Sequence, residues 1–327
     1  MKVLFIGGTG IISSACARQA LELDIELTAL VRGRSSERPL PAAVEVLHAD
    51  IRDGASADAA LGDRSFDVVV DYVAFTPEQV RADLERFLGR VGQYIFISSA
   101  SAYRKPLASL PIVEGTPLAN PYWQYSRDKI ACEELLMAAW RGEAFPVTIV
   151  RPSHTYDRLS LPTLAGYTDI DRMRRGDPVV VHGDGTSLWV LTHHLDFARA
   201  FVGLLGNPKA IGECFHITSD LLLTWNEIYE TLARAAGCEA QLVHVASETI
   251  ARAVPKWGPG LLGDKAHSLM FDNTKIKRVV PGWAASIPFS QGAREIIDFY
   301  DGEASRRRVD AEADAAMDTL VGIAERS

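Results

Sequence analysis

The sequence predicts an α/β protein, a doubly wound parallel sheet with a smaller, mostly helical C-terminal domain. Three observations predict it. Apolar, strand-like runs alternate with helical patterns from Met1 to Pro152. A Gly-rich turn follows the first run. The residues that stand out chemically, Gly7, Arg32, Ala74, Ser99 and Pro152, all fall at the carboxyl ends of predicted strands, where such sheets bind ligands.

Lys2-Val3-Leu4-Phe5-Ile6 is a continuous apolar run, as a strand buried on both faces requires. Gly7-Gly8-Thr9-Gly10 follows, and a helical pattern runs from Ile11 and Ile12 through Leu21. Strand, Gly-rich turn and helix in that order form the context of a dinucleotide-binding, Rossmann-type turn. Gly7 permits the tight turn, Gly10 lets backbone approach a pyrophosphate, and the helix N-terminus offers free amide hydrogens. Gly7, Thr9, Gly10, Ile11 and Ile12 are therefore expected cofactor contacts. The spacing is Gly-x-x-Gly-x-x-Ser, with Ser13 where a third glycine is common.

The second strand, over 26–31, ends at Arg32-Gly33-Arg34-Ser35. An NAD site would place a carboxylate there for the ribose 2′-hydroxyl, whereas the Arg32 guanidinium suits a 2′-phosphate, so NADP is favoured over NAD. A third strand over 44–50 puts Asp50 and Ile51 where an adenine edge is read. The fourth, over 67–74, ends at Ala74 before a helix opening at Pro77. The fifth, over 93–98, ends in Ser99-Ala100-Ser101-Ala102-Tyr103, and the sixth, over 147–151, is closed by Pro152.

Between the fifth and sixth strands, the spacing after Pro121 predicts a helix with Ile130, Leu135 and Leu136 toward a core. Residues four apart share a helix face, so Tyr125 and Lys129 can project into one site. A phenol ordinarily titrates near ~10, and a neighbouring ammonium would lower it, making Tyr125 a candidate proton donor and acceptor.

After Arg151 the alternation breaks down. Residues 153–187 read as loop-rich. A strand over 189–192 leads into a helix over 196–205, and 214–218 could complete the sheet. Thr224-Trp225-Asn226-Glu227 is a capping box opening a helix toward Ala236. Residues 219–300 read as mostly helical, with a short strand near Leu269-Met270-Phe271. The expected division is a dinucleotide-binding domain over 1–157 and about 188–218, and a substrate domain over about 158–187 and 219–300. A surface helix or tail over 301–327 follows.

The 327 residues carry a net charge of −8, which argues against a nucleic-acid partner. Hydrophobic content of 47% and charged content of 23% are ordinary for a globular protein. No apolar run reaches the roughly 18 residues that span a bilayer, and Met1 to Ile6 read as a strand rather than a signal peptide. Cys16, Cys132, Cys214 and Cys238 are scattered without close pairs, which favours buried free thiols and a cytoplasmic location over disulfides or zinc. His193 and His194 are adjacent, so on a strand they would face opposite ways and chelate poorly. No metal site is expected.

Gly7-Gly8-Thr9-Gly10, Ser98-Ser99, Tyr125 with Lys129, Arg151-Pro152, and Gly183-Asp184-Gly185 followed by Asp196 together resemble the extended short-chain dehydrogenase/reductases, in the NAD-dependent epimerase/dehydratase family. The resemblance covers roughly residues 1–300. The run 123–129 also resembles the branch containing chloroplast stem-loop-binding proteins. The resemblance implies catalytic roles for Ser99, Tyr125 and Lys129, with Ser101 the weaker candidate hydroxyl, and cofactor contacts at Ala74, Tyr125, Lys129 and Pro152. It also implies a small, sugar-like substrate and a homodimer paired through helices over 77–90 and 121–141.

Departures narrow the class. Family dehydratases carry an acidic pair after the catalytic hydroxyl, where this chain has Ala100 and Ser101, so no dehydration is expected. His154 stands where sugar-nucleotide enzymes usually have Asn, and Trp189 where they commonly have a diphosphate-clamping Arg. Losing that guanidinium removes a strong phosphate contact. His154 and Trp189 are thus expected substrate contacts, with the indole offering a stacking face. The leading expectation is an NAD(P)-dependent epimerase or oxidoreductase acting on a secondary hydroxyl or ketone. The alternatives are an NADPH-dependent ketone reductase and a non-catalytic dinucleotide sensor or RNA-binding relative.

Overall fold

A computed structural model of the chain describes residues 1–34 and 37–326; Ser35 of the basic turn, with Ser36 and Ser327, lies outside the described residues. The first half is a regular alternation. Strands β1 (Lys2–Ile6), β2 (Glu26–Val31), β3 (Glu45–His48), β4 (Phe66–Asp71), β5 (Val91–Ile97) and β6 (Val147–Pro152) are interleaved with helices α1 (Ile11–Leu21), α2 (Gly54–Leu61), α3 (Pro77–Phe87) and α4 (Gln124–Glu143). Val3 and Phe5 pack to one side of β1 and Leu4 and Ile6 to the other, which is why the run is apolar throughout.

Helix α4 corrects one expectation. Its buried positions are Ser126, Lys129, Cys132, Glu133, Leu136 and Ala139, so the face against the sheet is partly polar. Ile130 and Leu135 are only half-buried.

The region read as loop-rich holds β7 (His154–Tyr156), α5 (Tyr167–Arg175) and β8 (Val179–His182). Two short strands, β9 (Leu188–Trp189) and β10 (Leu191–His193), replace the single one expected, and α6 (His194–Phe201) follows directly. His193 therefore closes a strand and His194 opens a helix. Their rings meet edge-on 4.7 Å apart, and the His193 Nε2 lies 3.0 Å from Glu295. Strand β11 (Cys214–Ile217) completes a seven-stranded parallel sheet of order β11-β6-β5-β4-β1-β2-β3. The order reverses between β1 and β4, and a crevice opens there above the strand ends.

Beyond it come β12 (Leu223–Thr224), α7 (Trp225–Ala235) with its capping box, and β13 (Leu242–Val245), which pairs in parallel with β8. Near Leu269-Met270-Phe271 only an isolated bridge forms, from Phe271 to Ile112. Helix α8 (Ser247–Ala253) leads to α9 (Gly258–Gly260), which continues into a π-helical turn, Leu261–Lys265. Then follow α10 (Thr274–Val279), α11 (Phe289–Asp301) and α12 (Ala311–Ala324). Expected as a surface helix or tail, α12 buries Ala313, Met317 and Leu320, the last two in one cluster with Val180, Val245 and Ile250. Arg172 ties it down through Asp314 and Asp318 at 2.5 and 2.7 Å.

Cys16 and Cys132 are buried free thiols, whereas Cys214 and Cys238 are half-buried. Among the described residues no helix is long and apolar enough to cross a membrane, and no cluster of His, Cys, Asp or Glu could hold a metal.

Candidate active site

Two cavities lie at the carboxyl ends of the sheet strands, linked by Phe75 of one and Tyr125 of the other, whose ring centroids are 6.3 Å apart. The larger, of about 770 Å³, is lined by Gly7, Thr9, Arg32, Arg34, Asp50 and Ile51 among others. Its size lies within the roughly 300–1,000 Å³ of small-molecule sites. Gly7 takes φ +85°, and a Cβ there would run into the Val73 side chain. Gly10 has an ordinary φ of −84°, so backbone conformation does not demand glycine. A Cβ there would meet only Ser13 Oγ, at 3.2 Å, and would otherwise fill the space over the turn. That is the cradle a pyrophosphate needs. Ser13 accepts from the Gly10 amide at 2.8 Å and so caps the turn from within the helix. Ile11 and Ile12 form the first turn of α1, whose leading amides have no intrahelical acceptor. Arg32 lies 4.0 Å from Asp50 at the far end. These residues fit a dinucleotide.

Phe75 and Val73 also line this cavity, and neither stood out in the sequence. Their loop is shaped by Asp71, which accepts from the Val73 and Ala74 amides at 2.5 and 2.7 Å. Ala74 is itself buried and contributes its carbonyl, which accepts from Lys129 Nζ at 2.6 Å. The Ile97 carbonyl accepts from the same ammonium at 2.7 Å. Lys129 is thus fixed at the join of α4 with the ends of β4 and β5, and the Phe75 and Phe96 rings each lie 4.7 Å away. Burial lowers its pKa to about 8, against the opposing pull of Asp71.

The smaller cavity, of about 260 Å³, brings together Ser99, Ser101, Tyr125, Pro152 and His154. Its hydroxyls have a direction. Ser126 Oγ donates to Ser101 Oγ at 2.8 Å, so the Ser101 proton is free for Ser99, 2.8 Å further on. The Ser101 amide also donates to Ser99 Oγ, at 3.1 Å. Ser99 receives two bonds, which leaves its own O–H to face the Tyr125 phenol. Ser101 therefore acts as the relay behind Ser99.

Tyr125 departs from expectation. Burial raises its phenol above the usual value, the Ser99 hydroxyl opposes that, and the Asp264 carboxylate adds to it. Lys129 lies 5.8 Å from the Tyr125 ring centroid but spends two donors on carbonyls, and does not offset burial.

Trp189 is also corrected. It is 1% exposed and packs on Trp225, with ring centroids 5.1 Å apart, so it offers no stacking face to a substrate. Its indole N–H donates to His154 Nδ1 at 3.0 Å. Burial takes His154 down to about 3, so the ring is neutral; with Nδ1 accepting, its proton sits on Nε2. His154 is a donor held in place by Trp189. Asp264 and Lys265, from the π-helical turn, complete the wall and carried no signal in the sequence.

A sheet of this order, a glycine cradle at its switch point and an adjoining hydroxyl-lined pocket define a dinucleotide-dependent enzyme of the doubly wound α/β class. The NAD dependent epimerase/dehydratase family model matches residues 3–217, and the chain belongs to that family. It is an NAD(P)-dependent enzyme. Curated relatives include chloroplast stem-loop binding protein of 41 kDa b from Arabidopsis thaliana, 27% identical over 98% of this chain and 84% of that protein. The 2′-dehydrokanamycin reductase of Streptomyces kanamyceticus is 28% identical over 76% of this chain and 70% of its own. Among solved structures, a UDP-glucose 4-epimerase from Thermotoga maritima aligns with TM-score 0.74 at 20% identity, covering 92% of this chain and 99% of that one. An epimerase from Methanothermobacter thermautotrophicus aligns with TM-score 0.77 at 17% identity, covering 94% of each. At those identities the likeness speaks to the fold.

Proposed function

We propose that the chain acts on a secondary hydroxyl or ketone of a sugar-like substrate, as an NAD(P)-dependent epimerase or oxidoreductase. The observation that carries this reading is the gathering of Ser99, Tyr125 and Pro152 in one pocket, with Lys129 fixed directly behind. Gly7, Thr9, Gly10 and the first amides of α1 would hold the pyrophosphate, Asp50 and Ile51 the adenine, and Lys129 with Tyr125 the nicotinamide ribose. A bound nicotinamide supplies hydride acceptance and return. Ser99 donates its O–H to the reacting oxygen, and Tyr125 gives that oxygen a proton or takes one from it. The burial that raises the phenol keeps Tyr125 protonated at neutral pH, which suits it to the reducing step. Ser126 and Ser101 hold Ser99 in place, so no reorganisation is needed as charge develops.

Dehydration is not proposed. Ala100 and Ser101 occupy the positions after Ser99, where a dehydratase needs acids, and the one carboxylate lining the pocket among the described residues, Asp264, faces Lys105 at 3.4 Å. The small pocket suits one sugar ring.

Arg32 and Arg34 at the far end of the larger cavity favour a second mode, net reduction with NADPH. Retention of cofactor separates the modes. An epimerase keeps its dinucleotide through turnover, so denaturing the purified protein should release close to one absorbing dinucleotide per chain. Release of none, with NADPH consumed stoichiometrically with product, assigns the reductase.

A further inference from the structure

We infer that Lys265 is an anion anchor, so that the substrate carries an oxyanion, a carboxylate or a phosphate, close to its reacting carbon. This rests on the substrate-pocket reading above and deepens it.

The π-helical turn is pinned from several sides. Asn120 donates to the Gly263 carbonyl at 2.7 Å, and Trp225 Nε1 donates to the Lys265 carbonyl at 3.2 Å. His182 Nε2 lies 2.9 Å from the same carbonyl, which can only accept, so that nitrogen carries the proton. Asn120 also holds the Ser101 carbonyl, at 2.8 Å, and so ties the turn to the hydroxyl relay. A backbone this constrained, in a rare helical form, is a common mark of a functional site.

The turn delivers two charges into the pocket that holds Ser99 and Tyr125. Asp264 faces Lys105, whose side chain is fully buried, at 3.4 Å, an ion-pair contact without a hydrogen bond. The Lys265 ammonium has no hydrogen bond or ion pair among the described residues, and burial pulls its pKa down against the opposing pull of Asp264. A desolvated ammonium without a partner costs stability unless a ligand supplies the countercharge. His154 reinforces the sign, because its Nε2–H is a donor in the same pocket. The pocket thus offers an ammonium without an ion pair and a set of donors, a match for an oxyanion, while the Asp264 carboxylate in the same wall faces Lys105.

The test is binding to the purified full chain, read by quenching of tryptophan fluorescence, since Trp123 lines the pocket. The probes are glucuronate, glucose 6-phosphate and neutral methyl glucoside. Wild type is expected to bind at least one charged probe about tenfold or more tighter than the neutral one. The better of the two charged probes identifies carboxylate or phosphate. Lys265→Met should abolish that preference while Lys265→Arg retains most of it. Equal affinity for charged and neutral probes in wild type, no binding of any included, overturns the inference. So does a preference that survives Lys265→Met. Tyr125→Phe should leave probe binding intact, so a wrong catalytic assignment would show as unchanged turnover in that variant, separately from any result on Lys265.

Discussion

Burial raises the Tyr125 phenol and brings the Lys129 ammonium down to about 8, so the two groups lose their protons in an order that pH can read. Reduction needs the proton on Tyr125 and the charge on Lys129. As pH rises, Lys129 is neutralised first, while Tyr125 still holds its proton. The kcat/KM for ketone reduction should therefore fall as pH passes about 8, and Lys129→Met should lack that limb. A wild-type profile flat to beyond about pH 10 would leave Lys129 without a role. At this scale the sequence was informative where the signal is local, as in the four-residue spacing of Tyr125 and Lys129. It misled over Trp189, because an indole at the start of a short strand looks free to face a substrate until packing on Trp225 of α7 buries it.

Elements meet around one buried ion pair. Arg151, at the end of β6, donates to both Glu133 oxygens at 2.9 and 2.5 Å, and Ser98, just after β5, donates to Glu133 at 2.5 Å. Strand β5, strand β6 and helix α4 are thereby fixed at the point from which Ser99 and Lys129 emerge. Removing one partner leaves the other charge buried and alone, so Glu133→Ala should cost about 3–5 kcal/mol. Glu134→Ala, exposed one residue on, should stay within about 0.5 kcal/mol. Urea unfolding midpoints at constant m compare them; equal midpoints for the two variants would contradict the pair's role. The helix over α4 was legible from its spacing, but its polar stripe was not, since an apolar count places Ile130 inward and cannot see that Lys129 and Glu133 find partners on distant strands. Strand β8 was missed for a related reason. Its partner β13 lies some sixty residues on, between Leu242 and Val245, and the pairing has no local signature.

The whole molecule assembles the reaction pocket from four distant stretches: the loop after β5, the start of α4, residues 152–154 at the end of β6, and the turn at 261–265. The first three carry motifs and were readable; the fourth is brought in only by the packing of the C-terminal region over the sheet. Asp264 and Lys265 thus came to light with the structure, while the glycine cradle and the hydroxyl set did not need it. The claim on which the rest depends is that Tyr125 moves the proton. With a substrate in hand, turnover of Tyr125→Phe at saturating cofactor should fall by about 10²–10⁴. Undiminished turnover in that variant would contradict it.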